Sequence, residues 1–266
     1  MAEIVVINRE KIGIMVEAEV VKPESFAGKS QEEIAGLLIW QGTERLPLSS
    51  FFDVEVRGSP SSSPEETRIL MQGDFSRVKR IGEAMKAGSI DIDGPAGMHL
   101  GAEMSGGSIL VKGNAGSWSG REMKGGLLQI KGSCGDHVGS AYRGSWRGMT
   151  GGQIIIQGNA RSQLGGGLAG GQITVEGDVE NFCGIRQSGG LILVRGSAVR
   201  GVGAEMNGGT IAVCKDILQP SPGFVETGRE EDPTVGEVKL EGRFVKLSGD
   251  YALSKNAKGT IYCREV

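Results

Sequence analysis

The chain has 266 residues, a formal net charge of −3 and 46 glycines, about 17% of the total against a usual share of roughly 7%. Its small charge of mixed sign excludes the strongly basic profile of a nucleic-acid or membrane-surface binder. With 38% apolar residues, 8 prolines and no Gly-X-Y period, it is neither a disordered low-complexity chain nor a collagen.

The first ten residues, "MAEIVVINRE", contain no apolar run of signal-peptide length, and no stretch of about 18 apolar residues follows anywhere, so a cytoplasmic protein is expected. Residues 1–66 read as an N-terminal cap with short strand-like runs and one helix near 31–40, "QEEIAGLLIW". Ser30 and Glu33 stand at capping-box spacing at its start. "GKS" at 28–30 is not a phosphate loop, because Pro23 occupies the place that the motif gives to glycine. The Ser/Pro-rich link "RGSPSSSPEE" closes this region.

From Ile69 to Val213 the chain repeats itself. Gly-Gly pairs begin at Gly106, Gly125, Gly151, Gly170, Gly189 and Gly208, with gaps of 19, 26, 19, 19 and 19 residues. Each pair leads into a strand pattern such as "SILVKG", "LLQIKG" or "LILVRG". Other columns keep the period. Met85, Met104, Met123, Met149, Leu168, Gln187 and Met206 form one, and Ala96, Ala115, Cys134, Ala160, Val179 and Ala198 another. One short strand per 19 residues is too little for a propeller blade and lacks the leucine and asparagine signature of a leucine-rich repeat. The fold expected is all-β: a right-handed parallel β-helix of about seven coils over 67–214, with Ile109, Leu128, Ile154, Ile173 and Ile192 in one inner row. Glycine then serves the corners, where the chain turns at positive φ and stacked coils leave no room for a Cβ. Residues 215–266, with "FVKLSG" and "GTIYCREV", read as a C-terminal cap over the strand edges that such a column exposes.

One period is 26 residues long, and its seven surplus residues lie within "GDHVGSAYRGSWRGMTGG". A solenoid carries its binding surface on such irregularities. The segment holds Tyr142, Arg143, Trp146 and Arg147, with Trp118 and Arg121 expected one coil away. Trp, Tyr and Arg dominate interface hot spots, so these six residues are the candidate docking surface. Packing of the same aromatics on the column's own flank is the competing reading.

Catalytic chemistry is sparse. Cys134, Cys183, Cys214 and Cys263 are far apart with no C-x-x-C, which supports neither an iron–sulfur motif nor a zinc knuckle. His99 and His137 lie two periods apart, about 10 Å, with no further ligand column beside them. No catalytic, cofactor-binding or metal residue is assigned on this chain.

The segments "GNAGSWSGREMKGG" and "GSAYRGSWRGMTGG", together with "FAGKSQEEI" near the N-terminus, resemble the C subunit of formylmethanofuran dehydrogenase from methanogenic archaea. The repeat alone is also similar to the C-terminal domain of the glutamate synthase large subunit, here as a stand-alone chain, and to the C subunit of the formyltransferase/hydrolase complex of methylotrophs. The first resemblance implies a non-catalytic scaffold in a complex that reduces CO2 with ferredoxin electrons and fixes the formyl group on methanofuran, the first step of methanogenesis from CO2. It implies as partners the amidohydrolase (A) subunit, the pterin-metal B and D subunits and ferredoxin-type subunits, with no nucleic acid and no membrane. The tungsten- or molybdenum-pterin, the iron–sulfur clusters and a dinuclear metal site would sit on those partners. A carbohydrate-active β-helix enzyme would instead need Asp, Lys or Arg side chains converging from neighbouring coils on one groove.

Overall fold

The structure, a computed structural model, describes residues 2–8, 10–58 and 61–265; Ser59 and Pro60 of the Ser/Pro link lie outside them. About 40% of the chain is strand and 6% helix, so the class is all-β. Among the described residues thirteen strands form one sheet. Within it the strands Thr67–Gln72, Ser89–Asp93, Ser105–Val111, Gly125–Ile130, Gln153–Ile156, Gln172–Val175, Ser188–Val194 and Gly208–Val213 pair in parallel, each with the one a period away.

The register is the one that the apolar columns demand. Ile69, Ile90, Ile109, Leu128, Ile154, Ile173, Ile192 and Ile211 are successive partners. None is more than 1% exposed. Slipping by one residue would turn this whole row to the opposite face, so register and core specify each other. Burial of each side chain contributes about 1.5–3 kcal/mol. A second line of bridges joins Phe75, Ala96, Ala115, Cys134, Ala160, Val179 and Ala198. The methionine column is buried with them, and even its Gln187 is fully enclosed. Outside, Lys112 and Asp93 pair at 3.4 Å while both remain more than half exposed. Such a pair is worth about 0–1 kcal/mol.

Polar side chains tie the corners together from one period to the next. Asn114 Oδ1 accepts from the Ser133 amide at 2.8 Å, Asn159 Oδ1 from Asp178 at 2.9 Å, and Asp178 Oδ1 from Ser197 at 2.8 Å.

The ladder runs past the limits 67–214 marked by the repeat. Ala2–Ile7 pairs in parallel with Thr67–Gln72, placing Ile4 beside Ile69, and Asp53–Arg57 closes that side antiparallel. At the far end Gly259–Arg264 adds a parallel strand with Ile261 beside Ile211. Arg243–Gly249 and then Val225–Glu231 follow antiparallel. The eight parallel strands of the repeat thus gain one more at each end, both drawn from segments without a Gly-Gly pair. Glu226, Arg229, Glu230 and Glu231 on the outermost strand discourage pairing with another chain.

The helix expected over 31–40 has to be corrected. Only Gln31–Ala35 is helical, with the Ser30–Glu33 capping box formed on both sides. Gly36 ends it, and Leu38–Gln41 is a strand paired with Glu44–Pro47 across a two-residue turn. The apolar, β-branched and aromatic run Leu38-Ile39-Trp40 favours the pleated surface over helix once a partner strand is in reach.

Candidate functional site

The chain leaves the ladder between Ala141 and Gly148, whose amides donate to Gly166 O and Gly167 O of the next period, both at 2.8 Å. The excursion emerges beside a flank with unusual backbone geometry. His99, Trp118, His137, Gln163 and Phe182 hold equivalent places in successive periods, and all have φ between 60° and 65°. Left-handed conformation costs a non-glycine residue about 1–2 kcal/mol. Here each amide donates to a carbonyl one period on, Trp118 to Asp136 at 2.8 Å and His137 to Ser162 at 2.9 Å. Glycine is thus not the sole occupant of the positive-φ corners; a non-glycine residue is held there by the rung beside it, and its side chain is set on the flank.

These side chains stack. Trp118 lies 4.0 Å from the His137 ring with planes 11° apart, and 6.2 Å from His99 with planes 15° apart. Tyr142, the first bulky residue of the excursion, meets Trp118 and His99 edge-on at 5.4 and 6.0 Å. The Arg121 guanidinium also sits over the Tyr142 ring, 4.5 Å from its centre. Arg121 is 9% exposed and pairs with Glu103 at 2.7 Å and Glu83 at 3.3 Å. Glu83 also pairs with Arg80, which reaches Glu17 at 3.0 Å. Burial pushes the His99 pKa below the ordinary value, and the Arg121 charge adds to this against the opposing pull of Glu83. Burial likewise lowers His137, with Arg143 helping and Asp136 opposing. Both imidazoles are therefore neutral at pH 7, which suits stacking between uncharged rings.

The six candidate docking residues fall into two groups. Trp118, Arg121 and Tyr142 are engaged with the column: Trp118 is half-buried, Arg121 is buried and Tyr142 is in contact with both. Arg143, Trp146 and Arg147 stand out in solvent, Trp146 with 76% of its surface exposed. The excursion is braced from within, Ser145 N donating to Tyr142 O at 2.9 Å and Ser145 Oγ to Arg147 O at 3.1 Å. Between it and the next periods lies a cleft of about 260 Å³. Trp118, His137, Tyr142, Trp146, Gln163 and Arg186 contribute to its walls. Arg186 reaches over the Trp146 ring at 5.2 Å and pairs with Glu205 at 2.8 Å. Glu83, Glu103, Gln163 and Arg186 do not stand out in the sequence; the 19-residue period carries the signal, since Glu83 lies two periods before Arg121 and Gln163 follows His137 in one column.

The four cysteines are free thiols. Burial pushes Cys134 and Cys183 up to about 12, so they remain protonated and are poor metal ligands. Burial also raises Cys214 and Cys263. Among the described residues no three His, Cys, Asp or Glu side chains group as a metal site would require. This donor set does not fit an iron–sulfur cluster, a pterin metal or a dinuclear centre. No helix of the described residues is long and apolar enough to cross a membrane.

No family model matches the chain. Over 100 residues it is 59% identical to the C subunit of molybdenum-containing formylmethanofuran dehydrogenase 1 of Methanosarcina barkeri, a match covering 38% of this chain and 33% of that one. Over 101 residues it is 44% identical to the C subunit of tungsten-containing formylmethanofuran dehydrogenase 2 of Methanothermobacter wolfeii, covering 38% and 37%. The match thus spans about a third of each relative's length. Among solved structures, a chain of the formyltransferase/hydrolase complex of Methylorubrum extorquens, determined with methylofuran, superposes with a TM-score of 0.82 at 26% identity over 98% of this chain and 100% of that one.

Proposed function

We propose that this chain is the architectural C subunit of a formylmethanofuran dehydrogenase complex, with its parallel ladder wound as a right-handed β-helix. The observation that carries this reading is the superposition along the whole chain on a component of a formyltransferase/hydrolase complex, joined to 59% identity with a formylmethanofuran dehydrogenase component over 100 residues. Parallel strands joined for the most part at a 19-residue spacing favour a continuous coil, and right-handed crossovers are the rule. Residues 1–66 and 215–266 serve as its covers, each adding one rung before turning antiparallel.

In such a complex the chemistry rests with the partners. The amidohydrolase component carries the dinuclear metal, the pterin-metal components carry tungsten or molybdenum, and the ferredoxin-type components carry the iron–sulfur clusters. This chain contributes a rigid column and, at the excursion, a surface on which a partner docks, most simply the amidohydrolase. Arg143, Trp146 and Arg147 provide the exposed contacts, while Trp118, Arg121 and Tyr142 hold the excursion's base in place. The site of action is the cytoplasm.

A second reading has its own support: the superposed chain belongs to a formyltransferase/hydrolase complex. Purifying the tagged chain from its native cells separates the two. Co-purifying redox partners with tungsten or molybdenum identify the dehydrogenase; transferase and hydrolase partners without either metal identify the second complex. A chain that purifies alone overturns both.

A further inference from the structure

The excursion's surface has a charge pattern that says what kind of segment it receives. Arg143 and Arg147 have no carboxylate within ion-pair distance among the described residues, although they stand four residues apart on one short excursion. Among the described residues no Asp or Glu lines the adjacent cleft. The neighbouring carboxylates are committed within the chain. Asp136 Oδ1 accepts from the Ser162 amide at 3.1 Å, Glu122 Oε1 from the Tyr142 amide at 3.2 Å, and Glu205 holds Arg186 at 2.8 Å. Aromatic side chains line the cleft, and Trp146 stands among them with three quarters of its surface in water.

The chain as a whole carries a net charge of −3, so this cationic, aromatic patch runs against the average of its surface. Its foundation is firm. Tyr142 is held by Trp118 and Arg121, and the loop rejoins the ladder at Gly148. A firm base with unpaired guanidiniums and an exposed indole is prepared for a partner with little ordering to do on binding.

We propose that the excursion receives an acidic, extended segment of a partner subunit, which sets carboxylates on Arg143 and Arg147 and lays an apolar side chain against Trp146 at the cleft mouth. This rests on the docking reading above and specifies the chemistry of the occupant. Arginine suits the task because its planar fork grips a carboxylate through two parallel hydrogen bonds. The aromatic rim excludes water around those pairs, which is where truncation of an anchor costs most. Charge complementarity also steers the encounter, so association should be fast at low salt and slow at high salt.

The test is a titration of the full chain against the purified partner subunits, with association rates measured at low and high salt. Three variants are compared: Arg143→Glu with Arg147→Glu, the same pair changed to Lys, and Trp146→Ala. The Glu pair should slow association at least tenfold at low salt and remove most of the salt dependence. The Lys pair, which keeps the charge and loses the fork, should retain the salt dependence while dissociating faster. Trp146→Ala should weaken binding about thirtyfold or more with little change in association rate. Each variant's unfolding midpoint should match that of the unsubstituted chain, since these side chains touch little of the column. If the Glu pair binds as tightly and with the same salt dependence while Trp146→Ala weakens binding, docking stands and the acidic occupant is wrong. If all three bind like the unsubstituted chain, the docking reading itself fails. Self-association of the chain through Trp146 would assign the patch to a second copy and overturn the proposal.

Discussion

Replacing Gly126 with valine tests how tightly one period is pressed on the next. Gly126 has φ +82°, and a Cβ there would lie 2.6 Å from Met104 Cε, 2.7 Å from Gly107 O and 2.9 Å from Gly106 C. Two of these are backbone atoms of the preceding period and cannot yield without moving a rung. Left-handed conformation costs a residue with a Cβ about 1–2 kcal/mol, and more for a β-branched one. Overpacking adds about 1–3 kcal/mol. The loss should therefore be about 3–4 kcal/mol, the middle of the summed range, and the unfolding midpoint should fall by roughly 6–16 °C for a domain of this size class. Gly144→Val is the matched control: its φ is +86°, but nothing lies within 4 Å of the added Cβ. It should lose only the conformational share, about 1–2 kcal/mol. The assay is thermal unfolding followed by far-UV circular dichroism, with both variants and the unsubstituted chain in one buffer. Equal losses at the two sites would refute the close approach of neighbouring periods.

Stability should fall as pH drops below about 6.5, the ordinary histidine value, because the folded pKa values of His99 and His137 are depressed. Between the folded and ordinary values the unfolded chain binds protons that the fold does not, so this contribution is complete above 6.5 and fades below it; His99→Phe with His137→Phe, copying Phe182 of the same column, should flatten that part of the midpoint-versus-pH curve. Gln187→Met should raise stability by about 1 kcal/mol in chemical denaturation, since Gln187 Oε1 is buried in a methionine column with no hydrogen-bond partner among the described residues. A loss instead would show that its amide bonds to the carbonyls of Gly189, Gly190 and Thr210 outweigh the bare oxygen. Arg121→Ala should cost about 2–3 kcal/mol by leaving Glu83 and Glu103 without their shared cation, whereas Trp146→Ala should stay within about 0.5 kcal/mol. Similar effects from the two would erase the division between the base of the excursion and its exposed tip.

The inner row was legible because its signal is doubly written. Ile109, Leu128, Ile154, Ile173 and Ile192 recur at the period and alternate with outward residues, and the structure pairs them in that order. The rung at Gly259–Arg264 was not legible. Ile261 lies beside Ile211 in space, yet the hairpin formed by Val225–Glu231 and Arg243–Gly249 intervenes in the chain, and no Gly-Gly pair announces the return. Trp118 joined the docking group on residue type, and its left-handed corner was not legible because such corners were assigned to glycine. Its amide is held by Asp136 O, and its ring stacks with two imidazoles. Arg121 joined the docking group on residue type and spacing, and its burial was not legible. Its neutralising partner Glu83 lies 38 residues away, invisible to local pattern and adjacent only once two periods are stacked.

Whether this chain holds a complex together without performing its chemistry is decided by reconstituting the complex with and without it. The mass of the assembly is measured alongside each partner's own partial reaction. Omission should break the assembly into smaller pieces whose partial reactions persist. An assembly of undiminished mass that loses a partial reaction until the chain is restored would contradict the scaffold role.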